Sequence, residues 1–144
     1  MVKDYTTEYQ FAKELAQKCG NLALQYYSKT GGGAAAHQGV KISTKSNIND
    51  LVTEADQQVE KFFIKSVKES FPDHKILGEE NSSENFKNFP EAPFSLKEFS
   101  EVSAENAPVW IVDPIDGTMN FVHGMPYWCC SIGFVAEGKI IFGV

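Results

Sequence analysis

The chain has 144 residues, a formal net charge of −6 and an isoelectric point near 5.0. Hydrophobic residues make up 42% and charged residues 22%, an ordinary mix for one modest domain with one core. The acidic balance argues against non-specific nucleic-acid binding, which needs a basic face. It does not exclude a phosphate ligand, because a bound divalent cation reverses the local sign. Cys19, Cys129 and Cys130 are odd in number and two are adjacent, a poor disulfide framework that implies a reducing, cytoplasmic setting. Met1-Val2-Lys3-Asp4 leads straight into a polar helix start, so no signal peptide is expected, and no apolar run approaches a membrane span.

Thr7 with Gln10 predicts a capping box, and Phe11, Leu15, Cys19, Leu22, Ala23 and Tyr26 then recur at helical spacing. Lys29 in the last turn and Gly31-Gly32-Gly33 end that helix. The Gly/Ala run 31–36 reads as a flexible connection; it lacks the Gly-Lys-Ser/Thr of a P-loop. Val40, Ile42 and Thr44 alternate with polar neighbours, predicting a short strand. A polar connection, Lys45–Asn49, enters a second helix with Val52, Ala55, Val59, Phe62, Phe63 and Val67 on one face, ended by Pro72. Its first turns carry Asp50, Glu54 and Asp56, and Thr53 with Asp56 is a cap-like pair. Acidic residues suit a helix N-terminus, so Asp56 alone reads as a cap before it reads as chemistry. Lys75–Gly78 is a short strand with Glu79-Glu80 at its end, either solvated or pointing into a site at the sheet edge. Asn81–Ala107 is the longest stretch without pattern, and loops of that length are lids, insertions or disordered.

Trp110 to Phe121 is the stretch around which the chain is organised. It begins as an apolar strand and ends as a short helix, with Asp113 and Asp116 between. Pro114 fixes its own φ and holds Asp113 extended. Gly117 permits a sharp turn and close approach of a ligand, and Thr118 opens a helical turn whose N–H groups favour anions. Asp-Pro-Ile-Asp-Gly is also good turn chemistry; the flanking strand and helix, and the acidic residues upstream, favour hard cations such as Mg²⁺ bridging to a phosphate. His123 has no second His or Cys at metal-ligand spacing and reads as structural or exposed. Tyr127–Val135 is a nearly continuous apolar strand, Glu137-Gly138 a tight turn, and Lys139–Val144 the returning strand.

Asp50-Leu-Val-Thr-Glu-Ala-Asp56, Gly78-Glu79-Glu80 and Trp110-Ile-Val-Asp113-Pro-Ile-Asp116-Gly-Thr118-Met-Asn-Phe121, in this order, resemble the inositol monophosphatases, Mg²⁺-dependent and lithium-sensitive phosphomonoesterases. Val122-His123-Gly124 and Ser131-Ile132-Gly133-Phe134 add to the resemblance, which runs from Lys45 to Val144. It implies that Glu79 binds a first Mg²⁺ and helps place the attacking water. Asp113 bridges two ions, the Ile115 carbonyl completes the first site and Asp116 binds the second ion. Gly117 and Thr118 donate backbone N–H groups to the phosphate. The Thr118 hydroxyl, paired with Asp56, orients the nucleophilic water, and Lys45 matches a basic residue near a third, weaker metal region. Two ions about 4 Å apart supply what phosphate-monoester hydrolysis needs without a Ser, Cys or His nucleophile.

The expected fold is α/β, the layered α-β sandwich of the inositol monophosphatase/sugar phosphatase type, as its N-terminal half only: two long helices on a mostly antiparallel sheet. Residues 1–144 form one incomplete domain, because the family's later Trp-Asp metal motif and its ring-contacting residues are absent. The implied reaction is hydrolysis of myo-inositol monophosphate in phosphatidylinositol signalling, by a cytoplasmic protein that is a homodimer when full length and binds neither nucleic acid nor membrane. The alternatives are a 3′-phosphoadenosine or sugar-phosphate phosphatase, and a truncated, non-catalytic form that binds metal or a partner.

Overall fold

The computed structural model describes residues 3–30, 42–44, 51–78 and 107–144. The elements in chain order are α1 (Thr6–Thr30), β1 (Ile42–Thr44), β2 (Leu51–Thr53), α2 (Glu54–Ser70), β3 (Lys75–Gly78), β4 (Val109–Asp116), α3 (Thr118–Val122), β5 (Cys129–Ala136) and β6 (Lys139–Gly143).

Helix α1 begins one residue before the expected box. The Asp4 carboxylate accepts the Thr6 N–H at 2.9 Å and the Thr6 hydroxyl, satisfying one of the donors that a helix start leaves over. Those two bonds hold the Asp4 carboxyl below its ordinary range. Ala12, Leu15, Cys19 and Ala23 are buried along one stripe of α1. Ala55, Val59, Phe63 and Val67 form the matching stripe of α2. Spacings of three and four residues keep each stripe on one face.

The second helix starts later than its periodicity suggests. Leu51–Thr53 is a strand, paired antiparallel with Ile42–Thr44, and the helix opens at Glu54. Val52 therefore belongs to β2 rather than to the helical stripe. Leu51, Val52 and Thr53 have the aliphatic and β-branched side chains that favour strands, but their partner lies in another segment, so only the pairing decides.

Strands β3 to β6 form a four-stranded sheet in sequence order. The β3–β4 pair is parallel and the β4–β5 and β5–β6 pairs are antiparallel. The mostly antiparallel expectation thus holds, with one parallel edge. Side chains alternate across the sheet. Ile76, Trp110, Val112, Ile132, Phe134 and Ala136 join the buried residues of α1 and α2 in one core. The opposite face gathers Leu77, Val109 and Val135, with Ile111 against them. Burying a side chain of Trp110 or Phe134 size contributes on the order of 2–3 kcal/mol each.

Aromatic packing fixes the position of β4 under the helices. Trp110 meets Phe11 at 5.6 Å, Phe71 at 5.6 Å and Phe134 at 4.7 Å between ring centroids. Its indole N–H donates to His74 Nδ1 at 3.0 Å, which satisfies a polar group in an otherwise apolar cluster.

Strand β5 starts at Cys129, two residues later than its apolar run, and Tyr127 is 75% exposed. Cys129 and Ser131 are exposed and Cys130 part-buried, and the strand is largely buried from Ile132 onward. Strand β6 is an edge strand on which Ile140 is 76% exposed. Among the described residues no helix is long and apolar enough to cross a membrane.

Candidate functional site

Strand β4 does not run straight. Asp113 pairs with Ser131 and Asp116 with Cys129, so three steps on β4 oppose two on β5. This is a β-bulge, and the one proline of β4, Pro114, sits inside it. Proline cannot supply a ladder N–H and is tolerated where the ladder is interrupted. The bulge re-aims the strand end: Asp113 is half-buried, Ile115 fully buried, and Asp116 exposed. In the parallel direction the described register stops at Gly78 against Val112, one residue short of Glu79 in one segment and of Asp113 in the other.

After Asp116 the chain turns through Gly117, whose φ of 95° lies in the left-handed region. A side chain there would be strained by its φ and would place its Cβ 2.8 Å from the Tyr127 carbonyl oxygen. Helix α3 then begins without a side-chain cap. Its first N–H groups have no intrahelical acceptor by geometry. The turn is backed by Asn120, whose Nδ2 donates to the Tyr127 carbonyl at 2.7 Å. Phe121 is fully buried, packs on Tyr27 and Trp128, and anchors α3. The Tyr27 hydroxyl donates to the Gly124 carbonyl at 2.8 Å and ties the loop after α3 to α1.

The Thr118 hydroxyl donates to the Ile115 carbonyl at 3.0 Å. That proton is therefore held by the backbone of the bulge, where the motif resemblance pairs it with Asp56. A carbonyl oxygen has two lone pairs, so Ile115 keeps one acceptor position beside this bond.

Asp56 lies in the first turn of α2 and is 1% exposed. A carboxylate acting only as a surface cap would stay in water, since burying a charge is costly without partners. The Oδ1 atoms of Asp56 and of Asp113 are both enclosed and accept no hydrogen bond, although each residue interacts elsewhere. Both charges act on one neighbour, Cys130 of β5. The thiol of Cys130 is pushed far up by its hydrogen bond with Cys19, then by burial, the Cys19 charge, and the charges of Asp113 and Asp56. Cys129 is pushed up by burial and then by Asp116 and Asp113. Both thiols thus stay protonated near neutral pH and are poor nucleophiles. All three cysteines are free.

The structure therefore brings together Asp113, Ile115, Asp116, Gly117 and Thr118 at the β4–α3 junction, and both Asp113 and Asp56 act electrostatically on Cys130. Glu79 and Lys45 lie outside the described residues, as do residues 79–106 as a whole. Among the described residues no group of three His, Cys, Asp or Glu side chains forms a cation site. The oxygen-only donor set of Asp113, Asp116 and the Ile115 carbonyl, with an enclosed carboxylate oxygen on Asp113, suits a hard divalent cation completed by further ligands and water. His123 is exposed at the C-terminal end of α3. Glu60 has no role in the motif and yet is fully buried. No local signal in the sequence marks it, since a glutamate within a helix is ordinarily solvated.

Residues 4–144 match the model of the inositol monophosphatase family. Inositol monophosphatase 1 of Bos taurus is 44% identical over 105 residues, which cover 73% of this chain and 33% of the bovine protein. Inositol-1-monophosphatase of Bacillus subtilis is 44% identical over 106 residues, covering 72% of this chain and 34% of that protein. Among solved structures, the Thermotoga maritima IMPase superposes with a TM-score of 0.69 at 28% identity, over 96% of this chain and 43% of its own. The extragenic suppressor protein suhB of Bartonella henselae gives 0.70 at 27% identity, over 96% and 44%. The chain spans about a third of the curated relatives and somewhat under half of these structures.

Proposed function

The chain belongs to the inositol monophosphatase family, and from that premise we propose that the whole protein hydrolyses myo-inositol monophosphate to inositol and phosphate with Mg²⁺ held at the β4–α3 junction. The observation that carries the reading is the bulged end of β4: it places Asp113, the Ile115 carbonyl and Asp116 in succession before the left-handed Gly117 turn. Asp113, the Ile115 carbonyl and Asp116, with Glu79 from the neighbouring segment, are the groups that would hold the divalent cations. The chemistry such ions supply when bound is neutralisation of phosphate oxygens, a more acidic water and a stabilised leaving alkoxide.

The chain's own groups do the positioning. The Gly117 and Thr118 N–H groups, at a turn that no side chain caps, orient the phosphate. The Thr118 hydroxyl donates its hydrogen bond to the Ile115 carbonyl, so its oxygen serves the attacking water as an acceptor. Asp56, enclosed at 1% exposure, is the second acceptor, and together they fix the direction of the water's lone pair. Protonated Cys129 and Cys130 take no covalent part. The free thiols support a cytoplasmic setting.

The test is phosphate release by the full-length protein from myo-inositol monophosphate, 3′-phosphoadenosine and a hexose phosphate, each titrated with Mg²⁺. The inositol ester should have the highest kcat/KM and show no turnover in a chelator. Turnover unaffected by chelation would overturn the metal reading, and preference for either other ester would overturn the substrate.

A further inference from the structure

Helix α1 is held against β5 near both of its ends. Tyr5, the residue before α1, meets Phe134 edge-on at 5.5 Å between ring centroids. Tyr27, in the last turn of α1, meets Trp128, the residue before β5, at 5.5 Å. Cys19 of α1 and Cys130 of β5 lie between these two contacts, and their thiols are joined by a hydrogen bond. Cys19 is fully buried, and Cys130 is part-buried and packs against the same core cluster. The two sulfurs are thus kept together by elements fixed on either side of them. Cys130 stands between Ser131, which pairs with Asp113, and Cys129, which pairs with Asp116, on the short side of the bulge. Neighbouring strand residues point to opposite faces. Cys129 is exposed, and Cys130 is the one turned to α1.

Two thiols in contact can ionise, be oxidised separately to sulfinic or sulfonic acids, or join. The first two routes put new negative charge beside Asp113 and Asp56, whose carboxylates already act on Cys130. A disulfide is neutral and adds no charge there. Thiols already in hydrogen-bond contact need only a small side-chain movement to join.

We propose that Cys19 and Cys130 form a dithiol–disulfide couple that a small-molecule disulfide closes, tying α1 to β5 behind the end of β4. One cysteine sulfur, having lost its proton, attacks a sulfur of the small disulfide; that S–S bond breaks and one thiol leaves. The other cysteine sulfur attacks the mixed disulfide, and the second thiol leaves. The two cysteines are oxidised, the small disulfide is reduced to two thiols, and the two protons end on those thiols. Only a thiolate attacks, so the protonated pair closes slowly at neutral pH; protonation does not oppose the neutral product. In a reducing setting such a pair rests as thiols and closes under oxidative challenge. This chemistry stands apart from phosphate hydrolysis and does not depend on the metal reading.

The experiment equilibrates the folded full-length protein with glutathione buffers of rising oxidised fraction, at mildly alkaline pH where exchange is faster. Free thiols are then alkylated, and linked peptides are identified by mass. The parent and C129S should give one Cys19–Cys130 peptide pair, lighter by two hydrogen atoms than the separate peptides and opened by dithiothreitol. C19A and C130A should give no such pair. The link closes a loop of more than a hundred residues, so the oxidised parent should unfold at a temperature higher by about 5 °C or more than the reduced parent. That rise should be absent in C130A. If C19A or C130A fails to fold, the peptide map and the unfolding temperature of the parent and C129S carry the test. Cys19 and Cys130 both free in excess oxidised glutathione would overturn the proposal. So would glutathione held on Cys130 with Cys19 free, a Cys129–Cys130 link, or an unfolding temperature unchanged or lowered by the Cys19–Cys130 link.

Discussion

Along β4, Val109–Val112 lies in register between two neighbouring strands, while Asp113–Asp116 passes through a bulge and out toward α3. The first half is buried among rings: Trp110 touches Phe11, Phe63, Phe71, Phe134 and Phe142. The second half carries carboxylates, a proline that cannot join the ladder, and a carbonyl engaged by Thr118. One strand therefore provides both a rigid base and an irregular tip. Bulges are found where a side chain must be re-aimed, and a site needs its groups held by elements that do not move. The two halves should respond differently to mutation, and that difference is testable.

The largest effect is expected at the tip. On the proposed two-ion reading, Asp113→Asn in the full-length protein should lower Mg²⁺-dependent phosphate release by about a thousandfold, since a ligand shared by both ions would carry several kcal/mol of charge stabilisation. Thermal unfolding without metal should change little. Phosphate release near the parent rate would break the comparison, because the acidic half would then not be the reacting half.

At the base the signature should reverse. Trp110→Ala empties a fully buried site and leaves His74 Nδ1 without its donor. The cost should be about 3–5 kcal/mol, read as a lower urea midpoint, a large part of the stability of an ordinary domain. If Trp110→Ala lowered kcat with no loss of stability, the two halves would not be separable. Gly117→Ala sits on the seam. It forces a φ of 95° on an L side chain and sets a Cβ 2.8 Å from the Tyr127 oxygen, which should cost about 1–3 kcal/mol. A Gly117→Ala protein as stable as the parent would mean that the turn relaxes into another conformation.

The tip was the more legible half in the sequence, because its signals are local. Asp113, Pro114, Asp116, Gly117 and Thr118 are adjacent, and strand, turn and helix start follow from their order. The helical stripes of α1 and α2 were legible for the same reason. The bulge was not, since it depends on which residue of β5 faces which residue of β4. The strand at Leu51–Thr53 was hidden because its partner is at Ile42–Thr44. Asp56 was ambiguous: a helix N-terminus explains an acidic residue there, and only its burial separates a surface cap from an enclosed carboxylate. Glu60 was silent, because a glutamate inside a helix is usually solvated and nothing local says that a glycine eighteen residues later makes room for it.

The smallest effect is expected at His74, and it sharpens the account of the base. Its ring is stacked on Phe71 at 4.8 Å and receives the Trp110 N–H on Nδ1. An indole nitrogen only donates, so Nδ1 must be unprotonated and the imidazole neutral, with its proton on Nε2. Burial lowers the pKa of His74 from its ordinary 6.5, against the pull of Glu8 and Asp73, which favour the charged form. With the folded value below the unfolded one, the unfolded chain binds more protons as the pH drops through this window. Stability from this residue is therefore fully present above about 6.5 and is lost as the pH falls through the folded value. The urea midpoint of the parent should be flat above that pH and decline below it, in step with a change in Trp110 fluorescence. His74→Gln keeps an acceptor for the indole and cannot titrate in this range. Carboxylates titrate at lower pH in both proteins, so the comparison is confined to the region near and just below 6.5. There the decline should be shallower in His74→Gln, and identical slopes would show that the Trp110–His74 bond does not respond to pH.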